Sequence, residues 1–541
     1  MMSGKKRYLL YLISPRQRYV NYPLNREMAR IFGKRSPMVP LALPTVAALT
    51  PEHYDIRIFD EEIEKLPKYG KPDLVGITTL DATARRAFEL GDHYRALGAT
   101  VVFGGPYASF SQEEALRHGD CVVAGEAEGK WEQCLTDFEN GCLKPVYETG
   151  DFVAYTSQKP PRWDLVRMNR VFQTGIQVSR GCPFNCDFCL VSKNFGTKMR
   201  YRTIENVVEE IKASPTNYFF FVDDNLTIGK KYVRELMKAI IPLKISWGCM
   251  CSLDVATDDE LLGLMADAGC FNILVGFESL NAESLDESHK HHNRGGTIYV
   301  EAIRKIHAAG IHISASFVVG FDNDSLDEFD RIYDFCLEHN LAYVNLHLLN
   351  ASPGTETHRK FKEEGRLFSC NPDLGVGHFP TLHYRNMSQI DLFDRYMETI
   401  DRLFSFSTIR VKAEALFSNG AFTRKGGDIS AWMKMRVTWV TFRAFFLASD
   451  PERRKLLSFI VKLIRTRQLA IDKGLGFLIS MLGYHRHVKD HQRHLAAYRS
   501  MVISQDRGSW NDQLKQGKMA AEVTTDCSAA GKEANTEIIG A

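Results

Sequence analysis

Between Tyr8 and about Gly141, short apolar runs alternate with longer mixed segments: YLLYLI, YDIRIFD, DLVGITT, ATVVFGG and DCVVAGE. Runs of this length separated by stretches of helical periodicity predict parallel strands joined by helices, a doubly wound α/β domain. Ligands of such sheets sit in the crevice at the carboxyl ends of the strands. Here those ends carry Thr78 and Thr79, then Gly104, Gly105 and Pro106, then Gly125 and Glu126, and glycines there let a bulky ligand approach the backbone. A second series, FQTGIQVS, YFFFVDDN, ISWGCMCS, FNILVGFES, HISASFVVGF and AYVNLHLLN, again alternates with helical patterns. Six βα units predict a partial parallel (β/α)6 barrel of the TIM type. Past Gly365 the strand signals fade, and ISAWMKMRVTWVTFRAFFLA and ERRKLLSFIVKLIRTRQLAIDKG read as amphipathic helices. Between the two strand series, Pro160 and Pro161 favour extended chain and break the rhythm. The chain therefore divides into an α/β domain over 1–144, a linker over 145–171, a barrel over 172–365, a mainly helical region over 366–505, and a tail over 506–541. The tail's Gly, Ala, Ser, Thr and Lys predict disorder.

With 541 residues, 44% of them hydrophobic, the chain exceeds what one core organises, in keeping with several domains. A formal net charge of +2 points to no polyanionic partner, so nucleic acid is not indicated. Twelve cysteines spread this thinly do not make a disulfide framework and predict reduced thiols in a cytoplasmic protein. The opening MMSGKKRYLLYLISP imitates a signal peptide, but its apolar run is short and meets Pro15 and Arg16 with no small-residue cleavage site. A first strand is expected there instead. No apolar stretch approaches the roughly 20 residues of a membrane-spanning helix.

Directly after the first barrel strand the chain reads SRGCPFNCDFCLVS, setting Cys182, Cys186 and Cys189 in a C-x-x-x-C-x-x-C spacing with Phe188 before the last thiol. A 4Fe–4S cube needs four ligands to be closed; three thiolates leave one iron open to a small chelating molecule. The competing reading of three cysteines is a zinc site completed by a distant histidine. The spacing, Phe188 and the position after a barrel strand resemble the radical S-adenosylmethionine superfamily, which favours the cluster.

That resemblance implies that the amino acid end of S-adenosylmethionine chelates the open iron, and that reductive cleavage yields a 5′-deoxyadenosyl radical, fed by an electron donor of the flavodoxin or ferredoxin type. It implies further that Asp223, Asp224 and Asn225 receive the ammonium group, that Ser252 and Asp254 follow the third strand beside it, that Glu278 holds ribose hydroxyls, and that Gly320 lies on the adenine side. The glycine-glycine-glutamate form of the second-strand motif is absent, and an ordinary strand-end turn is the other reading of Asp223 and Asp224. The order PMVPLALPTVAAL, DLVGITTLD, VVFGGPYAS and DCVVAGEAEGKW resembles the Rossmann-like cobalamin-binding domain that precedes the barrel in one subgroup of that superfamily. No D-x-H-x-x-G motif for a cobalt-binding histidine is present, which implies a nucleotide tail swung into the crevice, with Leu80 or Asp81 facing cobalt. A degenerate domain without cofactor is the alternative.

Together these features are similar to hopanoid methylases and bacteriochlorophyll side-chain methylases. They imply a methyltransferase acting on an unactivated carbon of a hydrophobic small molecule, a hopanoid-type lipid or a tetrapyrrole. The alternatives are radical ring closure without methyl transfer and, outside catalysis, a cobalamin or cluster sensor. Residues 453–473 carry seven Lys/Arg and one Asp, a net +6, with Leu456, Leu457, Ile460, Leu463 and Ile464 at helical spacing. Such a helix either seats the protein peripherally on the inner face of an anionic membrane or docks on the barrel. Cys249 and Cys251 are expected to pack in the core, and His289, His291 and His292 to sit in a solvated loop.

Overall fold

The computed structural model describes residues 6–17, 29–67, 70–148, 150, 152, 154–156, 158–290, 296–368, 377–418 and 431–505. His291, His292, the tail from Asp506 and scattered positions of the expected linker lie outside the described residues. All eleven apolar runs form strands. The first sheet contains β1 (Tyr8–Ser14), β2 (Tyr54–Asp60), β3 (Leu74–Thr78), β4 (Thr100–Gly104), β5 (Cys121–Ala124) and β6 (Val146–Glu148), in the all-parallel order β2-β1-β3-β4-β5-β6. The central strands β1, β3 and β4 are buried on both faces, which is why they read as continuous apolar runs. The order reverses between β1 and β3, and at that switch point the strand ends part to leave a crevice. In this sheet one strand went unread: β6 extends it inside the segment expected to be linker, with only Tyr147 buried, too little for a periodic signal.

Two short strands, β8 (Ser179–Arg180) and β9 (Arg200–Tyr201), form an antiparallel hairpin that frames the cysteine loop. Around them the second sheet is built from β7 (Thr174–Ile176), β10 (Tyr218–Phe221), β11 (Ser246–Cys251), β12 (Cys270–Glu278), β13 (His312–Val319) and β14 (Tyr343–Leu348). Its order, β14-β13-β12-β11-β10-β7, is parallel throughout, a six-stranded open barrel. Alternation separates its faces. Phe277 and Phe317 stack at 5.3 Å and meet Phe335 of the outer helix Glu328–Glu338, whereas Tyr343 and Asn345 are met by Phe477 and Tyr484 of the last helix, Ile471–Gln505.

The C-terminal region is helical as expected. In the basic helix Pro451–Arg465, Leu456, Ile460 and Leu463 are buried against the neighbouring helices Phe406–Phe417, Ala431–Phe446 and Ile471–Gln505. Its apolar face is thus spent against these helices. Among the described residues no helix is long and apolar enough to cross a membrane.

Candidate functional site

The cysteine loop is pinned at both ends. Gly181 has φ +93°, and a Cβ there would come within 2.4 Å of the Lys198 carbonyl, so the tight entry demands glycine. Cys182 N–H donates to Gly196 O (3.1 Å) and Cys189 N–H to Cys186 O (3.0 Å). All three thiols are unpaired and half-buried. Burial pushes Cys182 up, Cys186 up to about 11 and Cys189 up to about 12. Left alone they stay protonated at neutral pH; a cation that binds thiolate reverses that balance, so the donor set suits a metal group. Among the described residues no three His, Cys, Asp or Glu side chains converge closely enough to hold a single ion.

The loop after β12 clamps the cysteine loop from the other side. Asp187 N–H donates to Ser288 O (3.2 Å), and the Asp187 carboxylate meets His289 Nδ1 at 2.9 Å. The adjacent Lys290, only 8% exposed, pairs with Glu278 and lies 5.9 Å from the Phe188 ring, which packs edge-on against Phe321. His289 therefore has a structural partner rather than solvent alone. Lys290 carried no pattern that sequence reasoning could weigh, standing as it does within a polar tract.

The strand-end carboxylates divide into those already engaged and one that is not. Asp223 is fully buried and accepts from Val178 N–H, Ser179 N–H (2.5 Å) and Ser179 Oγ (2.5 Å). It fixes the turn into the cysteine loop. Asp224 lines the cavity instead, with Oδ2 buried and, among the described residues, without a hydrogen-bond partner. Burial, then the neighbouring Asp223, pushes its carboxyl up to about 7. Asn225 Nδ2 donates to Ser252 Oγ (3.0 Å), and Ser252 in turn bonds Asp254. Glu278 sits at φ +64° beside a register shift between β12 and β13, its carboxylate folded back toward Gly276 and held by Lys290. The side of Gly320 where a Cβ would stand is filled by the Tyr384 ring. Cys249 and Cys251 are buried in the barrel core, as expected.

Thr78, Gly104, Gly105, Pro106, Gly125 and Glu126 line a cavity of about 660 Å³ whose opposite wall holds Gln177, Arg180, Val222 and Asp224 of the barrel. Leu12, Leu43, Val46, Gly76, Val102 and Trp131 add an apolar set to its lining. Gly105 has φ +92°, and a Cβ there would lie 2.6 Å from Thr79 O. Thr79 does not reach the cavity: it is fully buried, donating to Gly104 O (2.8 Å) and accepting from Ala108 N–H (2.9 Å), which ties β4 and the helix after it to β3. Of the two residues expected beneath a corrin, Leu80 lines the cavity, whereas Asp81 turns away to accept from Ser352 Oγ of the barrel (2.5 Å).

Buried ion pairs join the two walls. Glu126, expected as a ligand contact, accepts from Arg200 at 2.5 and 3.0 Å and lies 3.5 Å from Arg180, which also pairs with Glu128 at 2.8 Å. Removing one partner from so buried a set costs about 3–5 kcal/mol. The carboxylate thus serves chiefly to lock the first sheet to the hairpin framing the cysteine loop. Nothing in the local sequence marks Arg180 or Arg200 for this, because the partners are more than fifty residues away.

Comparison with known proteins matches residues 176–336 to the radical SAM superfamily and residues 35–135 to the B12 binding domain. The chain is 31% identical to the bacteriochlorophyllide d C-8(2)-methyltransferase of Chlorobaculum tepidum over 356 residues, 62% of this chain and 78% of that protein. It is 25% identical to the hopanoid C-2 methylase of Rhodopseudomonas palustris over 363 residues, 64% and 67% of the two chains. Among solved structures, the cobalamin-dependent S-adenosylmethionine radical enzyme OxsB with aqua-cobalamin and S-adenosylmethionine bound shares the fold at a TM-score of 0.57 and 14% identity, over 92% of this chain and 84% of that one.

Proposed function

The chain belongs to the cobalamin-dependent radical S-adenosylmethionine methyltransferases, and from that premise we propose that it transfers a methyl group to an unactivated carbon of a hydrophobic small molecule of the tetrapyrrole or hopanoid-lipid kind. The family's cofactors are a 4Fe–4S cluster, S-adenosylmethionine and cobalamin. When bound, they supply hydrogen-atom abstraction from carbon and a transferable methyl group. The observation that carries the reading is the single cavity. The crevice of the first sheet and Asp224, just past the end of β10, line the same space.

Cys182, Cys186 and Cys189 would hold the cluster, leaving one iron for the amino acid end of S-adenosylmethionine. The orphaned Asp224 Oδ2 is placed to accept from the ammonium group, a charge-assisted bond made at a site where the carboxylate now has no compensation. Asp223 holds the loop entry, Asn225 and Ser252 brace the next strand end, and Glu278, held by Lys290, would accept from the ribose hydroxyls. The apolar residues from Leu12 to Trp131 would hold a cobalamin nucleotide tail, and Leu80 would lie against the corrin. The Glu126–Arg180–Arg200 set holds the two walls together.

The test is turnover of anaerobically reconstituted enzyme with methyl-labelled S-adenosylmethionine and chlorin or hopanoid acceptors. One labelled methyl in the product, with S-adenosylhomocysteine and 5′-deoxyadenosine beside it, is expected, and the Cys182/Cys186/Cys189 triple serine variant should lose all three. Cleavage of S-adenosylmethionine without label in any product would overturn the methyl-transfer reading.

A further inference from the structure

The helix Ala431–Phe446 carries an apolar ridge on the outside of the protein. Met435, Trp439, Phe442 and Phe446, with Leu447 just beyond, are 40–65% exposed although large and hydrophobic. Their spacing of four, three and four residues sets them on one helical face. Trp439 and Phe442 stack at 6.4 Å and Phe442 and Phe446 at 4.7 Å, so the ridge is continuous. The opposite face is spent in the core, with Val437, Thr441 and Phe445 each at most 3% exposed. A contiguous exposed apolar patch of this kind marks a contact surface.

Charge decides the partner. Residues 435–467 hold eight basic and two acidic residues, a net +6 against +2 for the whole chain. At 100° per residue, Arg436 and Arg443 fall along one edge of the ridge. In the next helix Arg454, Lys455, Lys462 and Arg465 are exposed, as is Arg467 just past its end. A second copy of the chain laid on the ridge would bring two such cationic segments together. An anionic lipid surface neutralises them while accepting the aromatic side chains at its interfacial zone, the combination that seats amphipathic helices on membranes.

We propose that the ridge of Met435, Trp439, Phe442, Phe446 and Leu447, bordered by this basic segment, docks the protein peripherally on an anionic membrane. This moves the membrane-facing element from the basic helix, whose apolar side is buried, to the helix before it. The proposal is independent of the substrate's identity.

Flotation of the full-length protein with phosphatidylcholine vesicles, with and without about one third phosphatidylglycerol, tests it. Wild type is expected to float only with the anionic vesicles and to be released by high salt. The W439S/F442S/F446S variant, checked for unchanged circular dichroism, should partition at least about tenfold less. An R443E/R454E variant, which leaves the apolar face intact, should lose the anionic preference. Equal flotation with both vesicles, no flotation of wild type, or undiminished flotation of the triple variant would overturn the proposal. So would a wild-type dimer dispersed by the triple substitution in the absence of lipid, which would assign the ridge to self-association.

Discussion

Toward the cavity the ends of β3, β4 and β5 present Thr78, Leu80, Gly104, Gly105, Pro106, Gly125 and the arginine-paired Glu126, while the barrel side presents Gln177, Arg180, Val222 and Asp224. The first wall offers area and close backbone approach. The second offers a few polar and charged groups, and the strand-end residues beside it are held by protein partners: Asp223 by the turn after β7, Asn225 by Ser252, Glu278 by Lys290. A large planar group is gripped through buried surface, which scales with contact area. A small zwitterion is gripped through a few fixed dipoles and charges, which work best when little reorganisation is left to do. Each wall thus matches one class of cofactor, and substitutions on one wall should leave the other's ligand alone.

The strongest break is expected at Gly105→Val. The new side chain meets Thr79 O at a φ reserved for glycine, and strain plus overpacking costs about 2–5 kcal/mol. Corrin absorbance after reconstitution should vanish and the melting temperature should fall, while iron and sulfide content stay near wild type. Loss of the cluster along with the corrin would mean that the two walls are not separable.

How much of this was legible follows from the range of the interactions. All eleven apolar runs became strands because burial on both faces, or alternation with helices, leaves a local trace; the three thiols carry their spacing within one loop. Asp223 and Asp224 stand side by side in VDDN, and nothing in that tetrapeptide says which one faces inward. The answer depends on Val178 and Ser179, forty-four residues and more away. Glu126 looked like a ligand residue for the same reason, since its partners Arg180 and Arg200 join it only when the two halves meet. Lys290 and the exposed ridge on Ala431–Phe446 are visible only once burial is known.

A smaller effect, on the second wall alone, is expected at Asp224→Asn. The amide keeps the shape and removes the charge that the ammonium group would meet. A charge-assisted hydrogen bond is worth about 1.5–3 kcal/mol, so the Kd for S-adenosylmethionine should rise about 10–100-fold by calorimetry on the reconstituted enzyme. Corrin uptake and cluster content should not change. An unaltered Kd would transfer the ammonium contact to another residue, and a lost corrin would show that Asp224 serves both walls.

The mildest test sharpens the contrast from the first wall, whose lining includes the carboxylates of Asp60 and Glu62 besides the arginine-paired Glu126 and Glu128. Asp60, at the end of β2, lines the cavity, accepts from Glu62 N–H (2.9 Å) and is pushed up to about 7, chiefly by burial and then by the charges of Glu62, Glu61 and Glu64. Its folded form holds the proton more tightly than the unfolded chain, whose carboxyl titrates near 3.8. The contribution to stability is therefore present in full below about pH 4, declines as the pH rises toward about 7, and is absent above it. Asp60→Asn removes that decline and keeps an oxygen for the Glu62 N–H. At pH 8 the cofactor-free variant should be more stable than wild type by on the order of 1–2 kcal/mol, short of the roughly 1.4 kcal/mol per pKa unit that full burial would give, because water enters the cavity. Near pH 4 the two should unfold together in urea. Corrin affinity should be unchanged, since the first wall binds through area; a large loss with Asp60→Asn would make this carboxylate a polar anchor and blur the division between the walls.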